Sequence, residues 1–254
     1  MSGKDARKIV IGMPLKNGAK TLRRAVKSVL EQKDVKRNII LFIVNDNSSD
    51  NWRDEIKDFI DDNRIVIKNV NIGLIYKVRN FINDYIKNNI KNVDYIGRLD
   101  ADDYLASDDV LSRLEQIMDK YNPDAIIAGN KLAIGNKIIE RINYAEKKLL
   151  DFDYLKDKLE KMTRGNPLGE LPSCNTFIKP SVVIKYKNVE SAEDHWFTVD
   201  LLLNKDRYNI YIAENILYSV YSLNGELTNQ NRKNSNYIKS RKKLLNYFCN
   251  EVKI

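Results

Sequence analysis

The sequence predicts an α/β chain with a mostly parallel central sheet and helices on both faces. Three observations lead there. From Ile9 to Asp103, strand-length apolar runs alternate with segments of helical period in the order βαβαβαβ. The runs are apolar at nearly every position, not at every second one, as strands covered on both faces require. Clusters rich in Asn and Asp follow the second and fourth runs directly, at the strand ends where open α/β sheets bind their ligands.

Each element has its own justification. Ile9-Val10-Ile11-Gly12-Met13-Pro14 is a β-branched run halted by Gly and Pro. Leu22, Ala25, Val26, Val29 and Leu30 recur at helical spacing and predict a helix over 21–32, with Thr21 as its N-cap. A second strand over 39–44 ends at Asn45-Asp46-Asn47-Ser48-Ser49-Asp50, whose side chains favour turns and caps. A helix over 52–60, a strand over 65–70, a helix over 74–90 and a strand over 95–99 follow, the last running into Asp100-Ala101-Asp102-Asp103. Next come a helix over 107–121 and a short strand over 125–128. Residues 143–172 show no periodicity and end in a Gly/Pro-bearing loop over 166–172. Beyond them stand a strand over 175–178, an acidic stretch over 190–194, a helix near 196–203, and strands over 210–213 and 218–221.

A chain of 254 residues that is 43% hydrophobic can build a core, which excludes a disordered polymer. No apolar run reaches the ~18 to 20 residues that span a bilayer, and the polar N-terminus precedes no signal-like segment, so a cytoplasmic chain is expected. Cys174 and Cys249 are too few for a disulfide framework or a cysteine zinc site. With His195 as the one histidine, acid-base or metal chemistry falls to carboxylates. The net charge of +8 is concentrated at residues 229–254, where seven basic residues face one acid. The division expected is a domain over 1–228 and a basic helical tail over 229–254, in which Arg232, Lys233, Lys239, Arg241, Lys242 and Lys243 stand among Tyr237, Ile238, Leu244, Leu245 and Phe248. Such a helix either docks on an anionic membrane surface or packs its apolar side on the body and solvates its cations.

Three constellations carry chemistry. Asp100-Ala101-Asp102-Asp103 places three carboxylates within four residues, a repulsion that Mg²⁺ or Mn²⁺ would offset and that helix precapping would otherwise explain. Asp46 stands at the tip of the second strand, where it can accept from a nucleobase N–H or serve the turn, while Ser48 and Asp50 form the turn and cap the next helix. Glu193 and Asp194 are adjacent acids suited to a general base or to a helix N-terminus. Beside them His195 is either a metal ligand or a bystander, and Trp196 offers an apolar wall or a sugar-stacking face.

Taken together these pieces resemble the family 2 glycosyltransferases of GT-A fold, over residues 8–225. The matching segments are Val10-Ile11-Gly12-Met13-Pro14-Leu15-Lys16-Asn17, Val44 through Asp50, Asn71-Ile72-Gly73 with Val78-Arg79-Asn80, Asp100-Ala101-Asp102-Asp103, and Glu193-Asp194. The resemblance implies inverting transfer of a sugar from a nucleotide-sugar, by default a UDP-sugar, to a hydroxyl of a glycan or lipid-linked acceptor. It implies that Asp46 contacts the base, that Pro14 and Lys16 line the nucleotide, and that Lys77 or Arg79 faces the phosphates. Asp100 and Asp102 would hold ribose and a Mn²⁺ or Mg²⁺ ion, and Asp194 would be the catalytic base. Lys16 replaces the family's usual aromatic, Asn45 the first acid of its turn, and Ser107 a usual proline. The spacing from Gly73 to Arg79 is one residue longer than the pattern. An enzyme peripheral at the inner membrane face fits the tail. The rival readings are a nucleotidyltransferase, for which Gly12 and Gly18 do not make a phosphate loop, and a basic nucleic-acid-binding module, for which the body has no recognition motif, so no nucleic acid is expected.

Overall fold

The computed structural model describes residues 7–134, 137–165, 170–172, 175–223 and 236–253. Among them nine strands form one sheet. The elements in chain order are β1 (Lys8–Leu15), α1 (Ala19–Leu30), β2 (Asn38–Asp46), α2 (Trp52–Glu55), β3 (Ile65–Val70), α3 (Ile75–Asn89), β4 (Val93–Arg98), β5 (Tyr104–Leu105) and α4 (Val110–Tyr121). The second half comprises β6 (Ala125–Ile134), β7 (Lys137–Asn143), a 3-10 turn (Lys147–Leu150), α5 (Phe152–Thr163), β8 (Thr176–Ile178), α6 (Glu193–Leu203), β9 (Ile210–Ser222) and α7 (Asn236–Val252). The sheet order is β3-β2-β1-β4-β8-β6-β9-β5, with β7 hydrogen-bonded to β6. The half built from β3, β2, β1 and β4 is parallel, as expected. The second half adds antiparallel partners: β8 against β4 and β6, β7 against β6, and β5 against β9.

The apolar runs are explained by the two cores. Ile9, Ile11 and Met13 of β1 with Leu41 and Ile43 of β2 face one core, which α1 and α4 cover. Val10, Phe42 and Val44, one residue out of step, face the other, under α3, α5, α6 and α7. Both faces are therefore sealed, and each fully buried aliphatic or aromatic side chain contributes about 1.5–3 kcal/mol. Two glycines allow close approach: a Cβ on Gly12 would lie 2.4 Å from Ile82 Cγ2 of α3, and one on Gly97 2.4 Å from Phe177 Cε1 of the neighbouring strand β8.

Several boundaries differ from expectation. The expected helix over 52–60 closes at Glu55 and continues as turns through the acid-rich 58–62. The helix over 107–121 starts at Val110, because Ser107 Oγ donates to Asp109 Oδ1 in the turn before it. The strand over 125–128 runs on to Ile134, and the two late strands are one, β9, paired in parallel with β6 through shifts of register at Gly129. The region 143–172 holds a helix: α5 buries Leu155, Leu159 and Met162, and Asp151 caps it by accepting from the N–H groups of Asp153 and Tyr154. Thr21 is not the cap of α1; Gly18 is. In α7, Leu244 and Phe248 are fully buried against α5 and α6, so this helix packs its apolar side on the body, while Lys239, Lys242 and Lys243 stay exposed. Arg232, Lys233, Cys174, most of the 166–172 loop and the expected 228/229 boundary lie outside the described residues. Among the described residues no helix is long and apolar enough to cross a membrane.

Candidate active site

Parallel pairing brings the ends of β1, β2 and β4 to one edge of the sheet, with Leu15 beside Asn45 and Gly12 beside Arg98. Pro14 is buried in β1. The loops that follow β1 and β2 are laced together. The Asn17 N–H donates to Ser48 Oγ at 2.9 Å, the Ser49 N–H to Asn17 Oδ1 at 2.8 Å, and the Ala19 N–H to Asp50 Oδ2 at 2.8 Å. Asp50 therefore caps α1, not the helix after it. Asn17 and Asn47 adopt left-handed backbone at φ 51° and 55°, a conformation Asn tolerates better than most residues. Asp46, 4% exposed, accepts from the N–H of Ile72 at 2.6 Å and of Gly73 at 2.9 Å, tying the tip of β2 to the loop after β3. Lys16 Nζ lies 3.8 Å from its Oδ2.

Beyond β4 the carboxylates meet two arginines. Asp100 Oδ2 accepts from Arg79 Nη2 and Arg98 Nη2, each at 3.0 Å. Arg79 also donates to Glu193, and Arg98 Nη2 lies 3.7 Å from Asp194 Oδ2. Both guanidinium groups lie over the Tyr186 ring, at 5.6 and 5.8 Å from its centroid. The two acidic motifs, almost a hundred residues apart in sequence, are thus joined through Arg79 and Arg98. The sequence offers Lys77 or Arg79 for the phosphates and does not single out Arg98. Lys77, roughly 200° round α3 from Arg79, is exposed and not brought to these carboxylates.

Asp102 is pushed up to about 6, first by burial and then by the charge of Asp100. Asp103 does not precap α4; wholly buried, it accepts from the Ser222 N–H at 2.8 Å, and burial drives it well above the ordinary carboxylate range. Asp100 Oδ1 is buried without a hydrogen-bond partner. Two neighbouring carboxylates, one with an orphaned oxygen, fit a hard divalent cation that takes oxygen ligands. Among the described residues no group of three or more His, Cys, Asp or Glu side chains is placed to hold a metal ion.

Glu193 and Asp194 form the first turn of α6, and Asp194 Oδ1 accepts from the His195 N–H at 2.9 Å. The buried His195 has Nε2 3.8 Å from Glu170 Oε2, and burial lowers its pKa. Trp196 offers no open stacking face: it is 7% exposed, with Nε1 on Ser240 Oγ at 3.3 Å. Glu170, Tyr237 and Arg241 form a cluster here that the sequence did not reveal, Arg241 reaching both Glu170 oxygens at 2.6 and 2.7 Å. An open groove of about 540 Å³ runs along α1, bordered by Lys20, Arg23, Arg24 and Lys27, and Arg24 Nη2 donates to the Asp102 carbonyl at 3.1 Å. Arg23 and Lys27 there are already paired with Asp58 and Glu31, so the carboxylate cluster, not the groove, carries the chemistry.

The sequence model of glycosyl transferase family 2 matches residues 10–187. The chain belongs to glycosyl transferase family 2. Comparison with curated protein sequences gives no match for this family 2 chain. Its fold is that of GT-A glycosyltransferases. Residues 1–349 of S. aureus TarS, in complex with UDP-GlcNAc, align with a TM-score of 0.66 at 18% identity, over 87% of this chain and 60% of that one. The complex of the same TarS segment with UDP aligns at 0.62 and 16% identity, over 96% and 71%. The mannosyltransferase PcManGT from Pyrobaculum calidifontis, in complex with GDP-Man and Mn²⁺, aligns at 0.59 and 10% identity, over 92% and 62%. At these identities the likeness is one of fold, and the family 2 chain spans 60% of the first of these neighbours.

Proposed function

We propose that this chain transfers a sugar from a nucleotide-sugar, a UDP-sugar in the first instance, to a hydroxyl of a glycan or lipid-linked acceptor, with inversion. The observation that carries this reading is the arginine-bridged pairing of Asp100 with Glu193 and Asp194 at the carboxyl edge of the parallel strands. Neighbours of the same fold hold UDP-GlcNAc and GDP-Man, and one holds Mn²⁺, which supports a nucleotide-sugar donor and a divalent ion. Asp194 is the base. Its carboxylate, aligned by the His195 amide and by Arg98, takes the proton of the acceptor hydroxyl as that oxygen attacks the anomeric carbon from the face opposite the nucleotide. Asp46 and Lys16 border the nucleoside end, with Pro14 beneath, and Arg79 stands ready to exchange a carboxylate for a phosphate oxygen. Asp100 and Asp102 would hold Mn²⁺ or Mg²⁺. When bound, that ion would offset the charge gathering on the departing diphosphate. The exposed lysines of α7 would serve peripheral contact with an anionic surface presenting the acceptor.

Thermal shift with UDP, GDP, dTDP and CDP, with and without Mn²⁺, tests this reading. UDP is expected to raise the melting temperature with Mn²⁺ present and to lose that effect with chelator, saturation at a hundredfold over Kd being worth about 2.7 kcal/mol. Asp102→Ala should lose the Mn²⁺-dependent part. Silence with all four diphosphates, and a shift with triphosphates or oligonucleotides, would replace the reading with one of its rivals.

A further inference from the structure

We propose that α7 is a positioning element for the Glu193–Asp194 turn and acts through Ser240; this rests on the assignment of Asp194 as the base. The turn into α6 holds an unfavourable backbone. Ala192, its N-cap residue, sits at φ 60° and ψ 36°, the left-handed region that a Cβ disfavours, and its own side chain offers the helix no cap. Such a conformation persists where surrounding contacts over-determine it. Besides Arg79 on Glu193 and Arg98 on Asp194, α7 supplies such contacts. Ser240, 1% exposed, donates its hydroxyl to the Ser191 carbonyl and accepts from Trp196 Nε1. One hydroxyl therefore grips the chain just before Ala192 and again two residues beyond Asp194.

Neighbouring residues of α7 extend the grip. Arg241 holds Glu170 against His195, Lys243 pairs with Glu190, and the Tyr247 ring lies 5.2 Å from that of Trp196. Positions 240, 243 and 247 fall on one side of a helix. Arg98 and Asp100 belong to β4 and its end, so the distance from Asp194 to them depends on where α7 sets the turn. A displacement of about 1 Å in such a group can cost on the order of a hundredfold in rate.

The test uses the full chain and two readouts. The first is UDP release from UDP-GlcNAc with Mn²⁺. Ser240→Ala should lower kcat about tenfold and leave the donor KM within about twofold, since the loss is of orientation and not of donor contacts. Ser240→Thr, which keeps the hydroxyl, should recover most of the rate. Ala192→Gly in the Ser240→Ala background should recover part of it, because glycine reaches the left-handed region without a Cβ penalty. The second readout is amide hydrogen exchange, which needs no donor: Ser240→Ala should speed exchange over 187–197 and leave β1 and β4 unchanged. Wild-type kcat in Ser240→Ala, a kcat loss explained by the unfolded fraction, or unaltered exchange over 187–197 would overturn the proposal. Asp194→Asn separates the two claims. Undiminished release in that variant sinks the base assignment, whereas a silent Asp194→Asn beside a fully active Ser240→Ala sinks only the positioning role. If the wild type releases no UDP from this donor, the exchange result alone decides.

Discussion

The guanidinium of Arg98 links Asp100 to Asp194. It sits at the end of a buried strand, between a carboxylate two residues on and another on a distant helix, and is 8% exposed. Arg98→Met would leave Asp100 and Asp194 short of a buried cation, and a loss of about 3 kcal/mol in unfolding free energy is expected by denaturant titration. A loss under about 0.5 kcal/mol, the scale of an exposed pair, would show that water already screens the cluster. Asp46→Asn tests the other end of the site. It keeps one acceptor for the loop amides but removes the charge, and should cost about 1.5 kcal/mol in stability. The sequence made the acids legible, because carboxylates crowded after strands demand a physical reason. Their partners were less so. Arg98 had a signal, a charge inside the apolar run Tyr95-Ile96-Gly97-Arg98-Leu99 that burial obliges to be paired. Lys77 against Arg79 could not be decided by type, and only the rotation of α3 separates them. Glu170 and Arg241 left no trace, since their pairing joins a loop to a helix 71 positions later.

At the level of elements, strands covered on both faces were the easiest to read and short or interrupted ones the hardest. β1, β2 and β4 announce themselves because nearly every position is apolar. β5, two residues long, has no period to detect and exists because β9 reaches it. β9 looked like two strands because Glu214 and Asn215 interrupt its apolar pattern, where the pairing with β6 slips. α5 was legible in principle: Asp151 followed by Leu155, Leu159 and Met162 is a cap and a helical stripe, diluted by the lysines between them. The junction of β4 with β8 rests on the single residue pair Ile96 and Ile178, and Gly97 makes room there for Phe177. Gly97→Ala should therefore lower stability by about 1–3 kcal/mol through overpacking, measured by chemical denaturation. Unchanged stability would mean that the Phe177 ring can swing away.

Over the whole molecule, the charge balance sets how stability follows pH. His195 faces Asp194, Glu170, Arg241 and Arg98, and burial holds it below its ordinary 6.5, so folding favours its neutral form. As pH falls below 6.5 the unfolded chain takes up a proton that the folded chain refuses, and the stability due to this group is lost, by at most about 1.4 kcal/mol per pH unit. Asp102 and Asp103, raised by burial, act in the opposite sense, stabilising at low pH and losing that contribution as pH rises through their folded values. Comparison with His195→Gln cancels them, and the wild type should lose ground to that variant between pH 7.5 and about 5.5; a constant difference would place the histidine in contact with water. The sheet order carries a different consequence, one of time. β1 to β4 are contiguous in sequence and pair among themselves, whereas β8, the other neighbour of β4, begins roughly eighty residues later. At about 5–20 residues per second, a ribosome leaves that edge of β4 open for roughly 4 to 16 s. A half-made sheet with an apolar, unpaired edge is what chaperones bind and what aggregates, so yield in the cell should depend on how quickly the second half is synthesised.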